Sequence, residues 1–368
     1  MAVLPENVLQ DQIIYTRPMH KIILDCERMK YPHTGLYHFC LQLGRSLLKE
    51  TVEEAISFFM PRKCGPVFGS HAQYIYQHAV HKWILPATGR YNVWHATHQG
   101  SQYFPANRKI PIVLTVHDLN FLKGDFKSVT KRKNYLQTLQ HKIDRADHIT
   151  TISQFVLDDL HAHVQLNNKP ATVIYNGCNI NADILPAAPL VQPGSPFLFT
   201  IGTIVVKKNF HVLPALLVNN NNHLVIAGIV QNEAYKKEII AAAQKAGVLS
   251  RVHFTGPVTE AEKYWYYQHC EAFVFPSLAE GFGLPVIEAM AFGKPVFLST
   301  QTSLPEIGGE DAFYFNDFDP ENMREILQRG MTVYSTDTGL VERLKARAYS
   351  FNWQQTARQY IEIYRGLY

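Results

Sequence analysis

The stretch Pro276-Ser277-Leu278-Ala279-Glu280-Gly281-Phe282-Gly283-Leu284-Pro285-Val286-Ile287-Glu288-Ala289-Met290 decides how the rest of the chain is read. It joins an apolar strand-like run, Ala272–Phe275, to a helical pattern through two glycines and a proline. Gly281 and Gly283 are expected to take positive φ and to let a ligand approach the backbone. Pro285 fits the first position of a helix, where its missing N–H costs nothing. Unpaired N–H groups at such a helix start, together with the helix dipole, favour an anion. Glu280 precedes the turn and Glu288 falls in the first helical turns. The two carboxylates can therefore serve as acceptors for ligand hydroxyls on either side of the turn. A plainer reading stands equal to it here. Acidic residues are common in first turns because they complement the dipole, and glycine-rich strand-to-helix turns occur in many α/β proteins.

Outward from this block, apolar strand-like runs alternate with helical patterns, which predicts a parallel α/β fold. In the first half the strands fall at 21–25, 55–60, 93–96, 110–116, 148–152 and 172–175, with helices at 36–50, 71–84, 128–144 and 154–163. Residues 178–196 carry Pro186, Pro189, Pro193, Gly194 and Pro196 and read as a linker. The rhythm restarts with strands at 197–201, 223–227, 252–255, 272–275 and 295–298 and helices at 209–217, 232–246, 259–269 and 285–292. The expected domains are an N-terminal extension at 1–18, a Rossmann-like domain at 19–185 and a second Rossmann-like domain at 186–350, followed by a last helix at 351–368. Two doubly wound halves would thus face each other across a cleft, with ligands beyond the carboxyl ends of their strands.

At 368 residues the chain is long enough for two cores. A net charge of +4 argues against a polyanion binder and against nucleic acid as a partner. Six basic residues nevertheless crowd 127–145 (Lys127, Lys131, Arg132, Lys133, Lys142 and Arg145). A solvated helix face is the commoner meaning of such a run; contact with an anionic membrane surface is the other. Five scattered cysteines without a Cys-x-x-Cys pair fit a reducing compartment. Neither a leader nor a spanning apolar run is expected, so a cytoplasmic location follows, with peripheral contact at the inner membrane face as the variant. Asp317-Phe318-Asp319 has Asp-x-Asp spacing, but Asn316 and Pro320 mark it as a turn, and no metal site is expected.

Two further constellations sit at predicted strand ends. Gly202-Thr203-Ile204-Val205-Val206-Lys207-Lys208-Asn209 follows the first strand of the second half. Lysines beside a helix start neutralise a diphosphate leaving group, although a solvated lysine pair is the default elsewhere. Thr115-Val116-His117-Asp118 ends an apolar strand of the first half. A histidine there faces the presumed cleft, beside a carboxylate able to fix its tautomer or to serve the scaffold alone.

Taken whole, Ser277-x-x-Glu280-Gly281-Phe282-Gly283-Leu284-Pro285-x-x-Glu288-Ala289-Met290-Ala291 resembles the Glu-x7-Glu signature of retaining GT-B glycosyltransferases of the family 4 type. The resemblance extends over nearly the whole chain and implies that 19–185 is the acceptor domain, that 186–350 is the nucleotide-sugar domain and that the helix at 351–368 crosses back to the first domain. Lys208 matches the lysine of that family's diphosphate clamp, whereas Thr203 stands where many members carry arginine, which leaves the first cationic contact to Lys207. His117-Asp118 is similar to the family's His-Asp motif, and His33-Thr34-Gly35 to a reduced form of its Gly-Gly loop, with Gly35 the remaining glycine.

The resemblance implies a hexosyltransferase using a UDP or GDP sugar, with no cofactor and no metal. His117 and Glu280 would act at the transferred sugar. Glu288 would take the ribose hydroxyls. Lys207, Lys208, Gly202, Thr203 and the Gly281-Phe282-Gly283-Leu284 turn would hold the donor, with Gly35 approaching from the first domain. Retention would follow from front-face attack without a protein nucleophile. A glycan or lipid-linked acceptor in bacterial surface polysaccharide or lipopolysaccharide synthesis is the commonest setting. The form Thr203-Ile204-x-x-Lys207-Lys208-Asn209 leans toward mannosyl donors. Two alternatives stay open: a nucleotide-sugar epimerase of the same architecture, and a non-catalytic sugar-nucleotide binding partner.

Overall fold

The computed structural model describes residues 20–368 except 33, 52, 86–87, 107–108, 124–127 and 195. The expected extension at 1–18, His33 of the first loop and Lys127 of the basic run lie outside the described residues. In the first half, strands β1 (His20–Asp25), β2 (Glu54–Met60), β3 (Gln73–Tyr76), β4 (Val93–Ala96), β5 (Ile112–Val116), β6 (His148–Thr151) and β7 (Ala171–Val173) form one sheet. Its order is β3-β2-β1-β4-β5-β6-β7, with every ladder parallel. Helices α1 (Gly35–Glu50), α2 (Val129–Arg145) and α3 (Gln154–His163) connect these strands. The second half holds β8 (Phe197–Ile201), β9 (His223–Ala227), β10 (Val252–Gly256), β11 (Ala272–Phe275), β12 (Val296–Ser299) and β13 (Phe313–Phe315) in the order β10-β9-β8-β11-β12-β13, again parallel. Its helices are α4 (Glu233–Lys245), α5 (Glu260–His269), α6 (Leu284–Ala291) and α7 (Leu304–Gly308), and α8 (Pro320–Thr336), α9 (Leu340–Ser350) and α10 (Trp353–Arg365) complete the chain. This is the two-domain Rossmann-like GT-B architecture.

Continuous apolar runs form the central strands because helices cover both faces of a parallel sheet. All five residues of β5 and all four of β11 are buried. In each sheet the strand order reverses beside the first strand, at β1/β4 and at β8/β11, and chain leaving such a switch point opens a crevice. The sequence block that decided the fold leaves β11, and the lysine loop leaves β8.

Two expected helices are corrected. Residues 71–84 form β3 and a 3-10 turn at Ala79–Lys82, because Tyr74 and Tyr76 stack on one face of an edge strand. Residues 210–217 wind as a 3-10 helix with Pro214 inside, which lacks the N–H an α-helix needs there. Asp317 and Asp319 bind backbone and Asn322 groups at the start of α8, as a turn and a cap.

Helix α10 packs against the first domain. Gln354 and Arg358 donate to the two oxygens of Glu50 at the end of α1, each at 2.6 Å. Beneath it lies a buried polar network. His95 Nδ1 meets Tyr364 Oη at 2.7 Å, His95 Nε2 meets Thr115 Oγ1 at 2.7 Å, and Tyr360 Oη reaches Thr115 at 3.0 Å. Burial, and then the neighbouring His117, hold the His95 imidazole down to about 3, against 6.5 for a free histidine. The neutral ring is therefore the folded form. The unfolded chain binds the extra proton below about pH 6.5, so stability falls with falling pH by about 1.4 kcal/mol per unit until the folded pKa is reached. Urea denaturation between pH 6.5 and pH 4 should accordingly show a slope shallower by about one proton in His95→Gln than in the wild type. An identical slope would place His95 among groups that titrate alike in both states.

Candidate active site

Two helix starts converge between the domains. Helix α1 opens at Gly35 with Thr34 as N-cap, its Oγ1 accepting from Tyr37 N. Helix α6 opens at Leu284 after Gly283, whose φ of 106° puts it in the left-handed region. A β-carbon on Gly35 would lie 3.9 Å from Leu284 Cδ1, so the two starts face each other directly. Both dipoles point their positive ends into the gap. Pro285 occupies the second helical position rather than the first, still within the turn whose N–H groups lack helical partners.

The gap is a cleft of about 510 Å³. From the second domain it is lined by Gly202, Thr203, Lys207, Lys208, Glu280, the 281–284 turn and Glu288, and from the first by Gly35, His117 and Asp118. Every residue singled out as catalytic or donor-binding therefore borders one cavity. A larger cavity of about 1110 Å³ adjoins it, sharing Asp118, Val205, Lys207 and Gln231, and runs under Phe104, Phe121 and Tyr135 of the first domain.

Gly281 owes its identity to a close approach and not to a positive φ. A β-carbon there would sit 1.9 Å from the carbonyl oxygen of His117. The Gly281 carbonyl in turn accepts from Ser153 Oγ at 2.7 Å. Nearby, the Glu306 carboxylate accepts from Gln154 N at 2.6 Å and Phe155 N at 2.9 Å, closing the start of α3 with an acid from the other domain. Phe282 is buried against Phe351, and its carbonyl accepts from Ser303 Oγ.

The two carboxylates are held differently. Glu280 Oε1 accepts from Lys208 Nζ at 2.5 Å and from Ser277 Oγ at 2.6 Å. Burial pushes the Glu280 carboxyl up, but Lys208 and Lys207 outweigh it and hold it below the usual range. The ammonium of Lys208 lies 4.6 Å over the Phe275 ring, its stem passing close to Gly202. The carbonyl of Lys207 accepts from Leu278 N at 2.8 Å, which ties the lysine loop to the acidic block. Glu288 is buried in the wall of the cleft, where Lys263 Nζ and Tyr267 Oη each lie 3.1 Å from its Oε2. Asn179 Nδ2 donates to its Oε1 at 3.3 Å.

His117 is buried, with Nε2 2.8 Å from the Thr97 carbonyl. That contact assigns the proton to Nε2, so Thr97 and not Asp118 fixes the tautomer. Asp118 instead accepts from Asn120 N in a local turn, and burial pushes its carboxyl up. Burial holds the His117 imidazole down to about 4, so the neutral ring faces the cleft near pH 7.

Sequence reading missed Glu260 and Lys263, which line the cleft from α5. The signal was a lysine at 263 amid Tyr264, Tyr266 and Tyr267, where an apolar residue would suit a buried stripe. Of the basic run, Lys142 bonds the Gln99 and Ser101 carbonyls and Arg145 the Ile110 carbonyl, so only part of it faces outward. Among the described residues no helix is long and apolar enough to cross a membrane.

Comparison with known proteins places this geometry in context. A family described as Glycosyl transferases group 1 matches residues 182–349, and one described as Glycosyltransferase Family 4 matches 36–182. Over 184 residues the chain is 37% identical to the serotype-specific mannosyltransferase WbdA of Escherichia coli, a match covering 46% of this chain and 22% of that protein. The chain thus spans about a fifth of that relative's length. O-antigen chain mannosyltransferase B of Escherichia coli is 23% identical, over 94% of this chain and 100% of its own length. Among solved structures, Anabaena HepE in complex with UDP-glucose shares the fold, with a TM-score of 0.71 at 17% identity over 94% of this chain and 99% of that one.

Gly281→Ala tests the closure. Its β-carbon has no room beside the His117 carbonyl, so the domains are expected to separate while each sheet stays folded. Small-angle scattering should give a larger radius of gyration with unchanged far-ultraviolet dichroism. An unchanged radius would show that the approach of the two backbones is dispensable.

Proposed function

Because the chain belongs to the group 1, family 4 glycosyltransferases, we propose that it transfers a hexose, with mannose the favoured candidate, from a nucleotide diphosphate sugar to a glycan or lipid-linked acceptor. Synthesis of a bacterial surface polysaccharide or lipopolysaccharide is the setting its relatives' names suggest. One observation carries the reading: Lys208, Glu280 and Glu288 of one domain and His117 of the other border a single cleft onto which two helix starts open.

The chemistry follows from what each side chain has to offer. An ammonium carries three N–H groups. Lys208 gives one to Glu280 and keeps two for oxygens of a diphosphate. Lys207, bordering both cavities, is the second cation where Thr203 replaces the arginine. Charge developing on the leaving diphosphate is then met by lysines and helix-start amides, without calling on a metal. Glu280, kept ionised by Lys208, accepts from hydroxyls of the transferred sugar. His117, neutral and with Nε2–H committed to Thr97, offers Nδ1 as an acceptor and acts in orientation rather than as a charged acid. The acceptor enters through the larger cavity, whose aromatic side chains suit the apolar faces of a sugar. The inner membrane face stays within the proposal through Lys131 and Lys133, which are exposed on α2.

Epimerisation and passive binding are disfavoured by the transferase relatives. Incubation with donor alone tests the first directly, because an epimerase converts the donor without an acceptor. A thermal-shift panel of UDP- and GDP-sugars should identify the base and the sugar.

Glu280→Gln should cut transfer by at least about tenfold, the worth of a charge-assisted hydrogen bond, while donor binding persists. Wild-type turnover in this variant would remove Glu280 from the reaction. Lys208→Ala should instead weaken nucleoside diphosphate affinity in calorimetry by at least about tenfold. Unchanged affinity would exclude Lys208 from the clamp.

A further inference from the structure

The wall of the cleft that carries Glu288 holds a cation between two acids. A carboxylate offers about four lone-pair sites. On Glu288 three are occupied, two on Oε2 facing Lys263 and Tyr267, whose O–H also lies 3.2 Å from the Pro285 carbonyl, and one on Oε1 by Asn179. A single site is left, which accommodates one donated hydroxyl and not a pair. Lys263 Nζ also lies 3.0 Å from Oε2 of Glu260, and Glu260, Lys263 and Glu288 all border the cleft. The result is a row of carboxylate, ammonium and carboxylate along one side of the cavity.

We propose that Lys263 is a positioning residue that sets Glu288 and Glu260 side by side as separate acceptors for the two adjacent hydroxyls of the donor's ribose. This rests on the nucleotide-sugar reading above. The physical need is plain. Two acids at one wall repel, and without a cation between them one takes up a proton or turns to solvent. A protonated acid would compete with the ribose hydroxyls as a donor. Burial pushes the Lys263 ammonium down, yet Glu288 and Glu260 more than offset it and raise its pKa above the ordinary lysine value, so the cation persists. Lys263 is itself buried, its side chain 9% exposed, which suits a group that acts on its neighbours rather than on bulk solvent.

Calorimetry of the full chain with UDP and GDP, and with the 2′-deoxy and 3′-deoxy forms of whichever binds, tests the assignment. The wild type should prefer the ribo form by about tenfold or more. In Lys263→Met that ratio should fall close to one, and in Lys263→Arg it should largely survive. Glu260→Gln, at a half-exposed position tolerant of change, should lose discrimination at one of the two hydroxyls. If Lys263→Met weakens ribo and deoxy forms equally, Lys263 only braces α5 against α6 and the proposal is overturned. Should that variant fail to fold, unchanged discrimination in Glu260→Gln overturns it instead. A wild type that binds the diphosphate without sensing either hydroxyl overturns this proposal alone. A wild type that binds neither UDP nor GDP overturns the functional reading as well.

Discussion

Two backbones from different domains touch at Gly281 and His117, and the cleft exists in its present form because nothing larger than a hydrogen separates them. The contact brings the end of β5 against the turn that follows β11. It sets the distance between the histidine of one half and both acids of the other. Ser153 and Glu306 reinforce it from either side, with a hydroxyl on the Gly281 carbonyl and a carboxylate on the start of α3. A carboxylate at a helix start satisfies two backbone N–H groups and complements the dipole. Each of these contacts has a backbone group on at least one side, and the approach of Gly281 to His117 has one on both.

On the second-domain side of the cleft the two acids of the Glu280–Glu288 block are each paired with a lysine. Lys208 answers Glu280, and Lys263 answers Glu288 and Glu260. A lone buried carboxylate would cost several kcal/mol or lose its charge, and the pairing with Lys208 holds the Glu280 carboxyl below the usual range. The two lysines also differ in load. Lys208 holds one acid and carries two further N–H groups, whereas Lys263 serves two acids. The histidines show the opposite solution. His95 and His117 are buried as neutral rings, each satisfied by hydroxyl or carbonyl partners.

Most of this fold was legible because a parallel sheet covered on both faces writes its strands as unbroken apolar runs. The run at 71–84 misled because Ala72, Ile75, Tyr76, Ala79, Val80 and Trp83 fit a helical spacing while Tyr74 and Tyr76 fit the alternation of an edge strand, and only pairing with β2 decides between them. At 210–217 the apolar density was read correctly, but Pro214 forces a tighter winding. The site was legible where local chain geometry makes it: at strand ends, glycine turns and helix starts. It was illegible where packing makes it. Gly281 was credited with an unusual φ, whereas its constraint comes from a residue 164 positions earlier in the chain, a span read directly from the numbering of His117 and Gly281. The tautomer of His117 belongs to Thr97, on the neighbouring strand end. Glu260 and Lys263 matter only because α5 lies beside α6.

The crossing helix and the Glu288 wall of the cleft are linked through one side chain. Asn179, in the chain between the two sheets, donates to Glu288 and accepts from Trp353 Nε1 at 2.9 Å. Trp353 opens α10, which is fixed to the first domain through Glu50 and the His95 network. Its backbone also presses on Gly177, where a β-carbon would fall 2.3 Å from Trp353 N. The chain crosses between the domains at this segment and again between α9 and α10. A shift of Asn179 would alter a hydrogen bond on Glu288, so the domain crossing and the wall of the cleft are joined through the same few side chains.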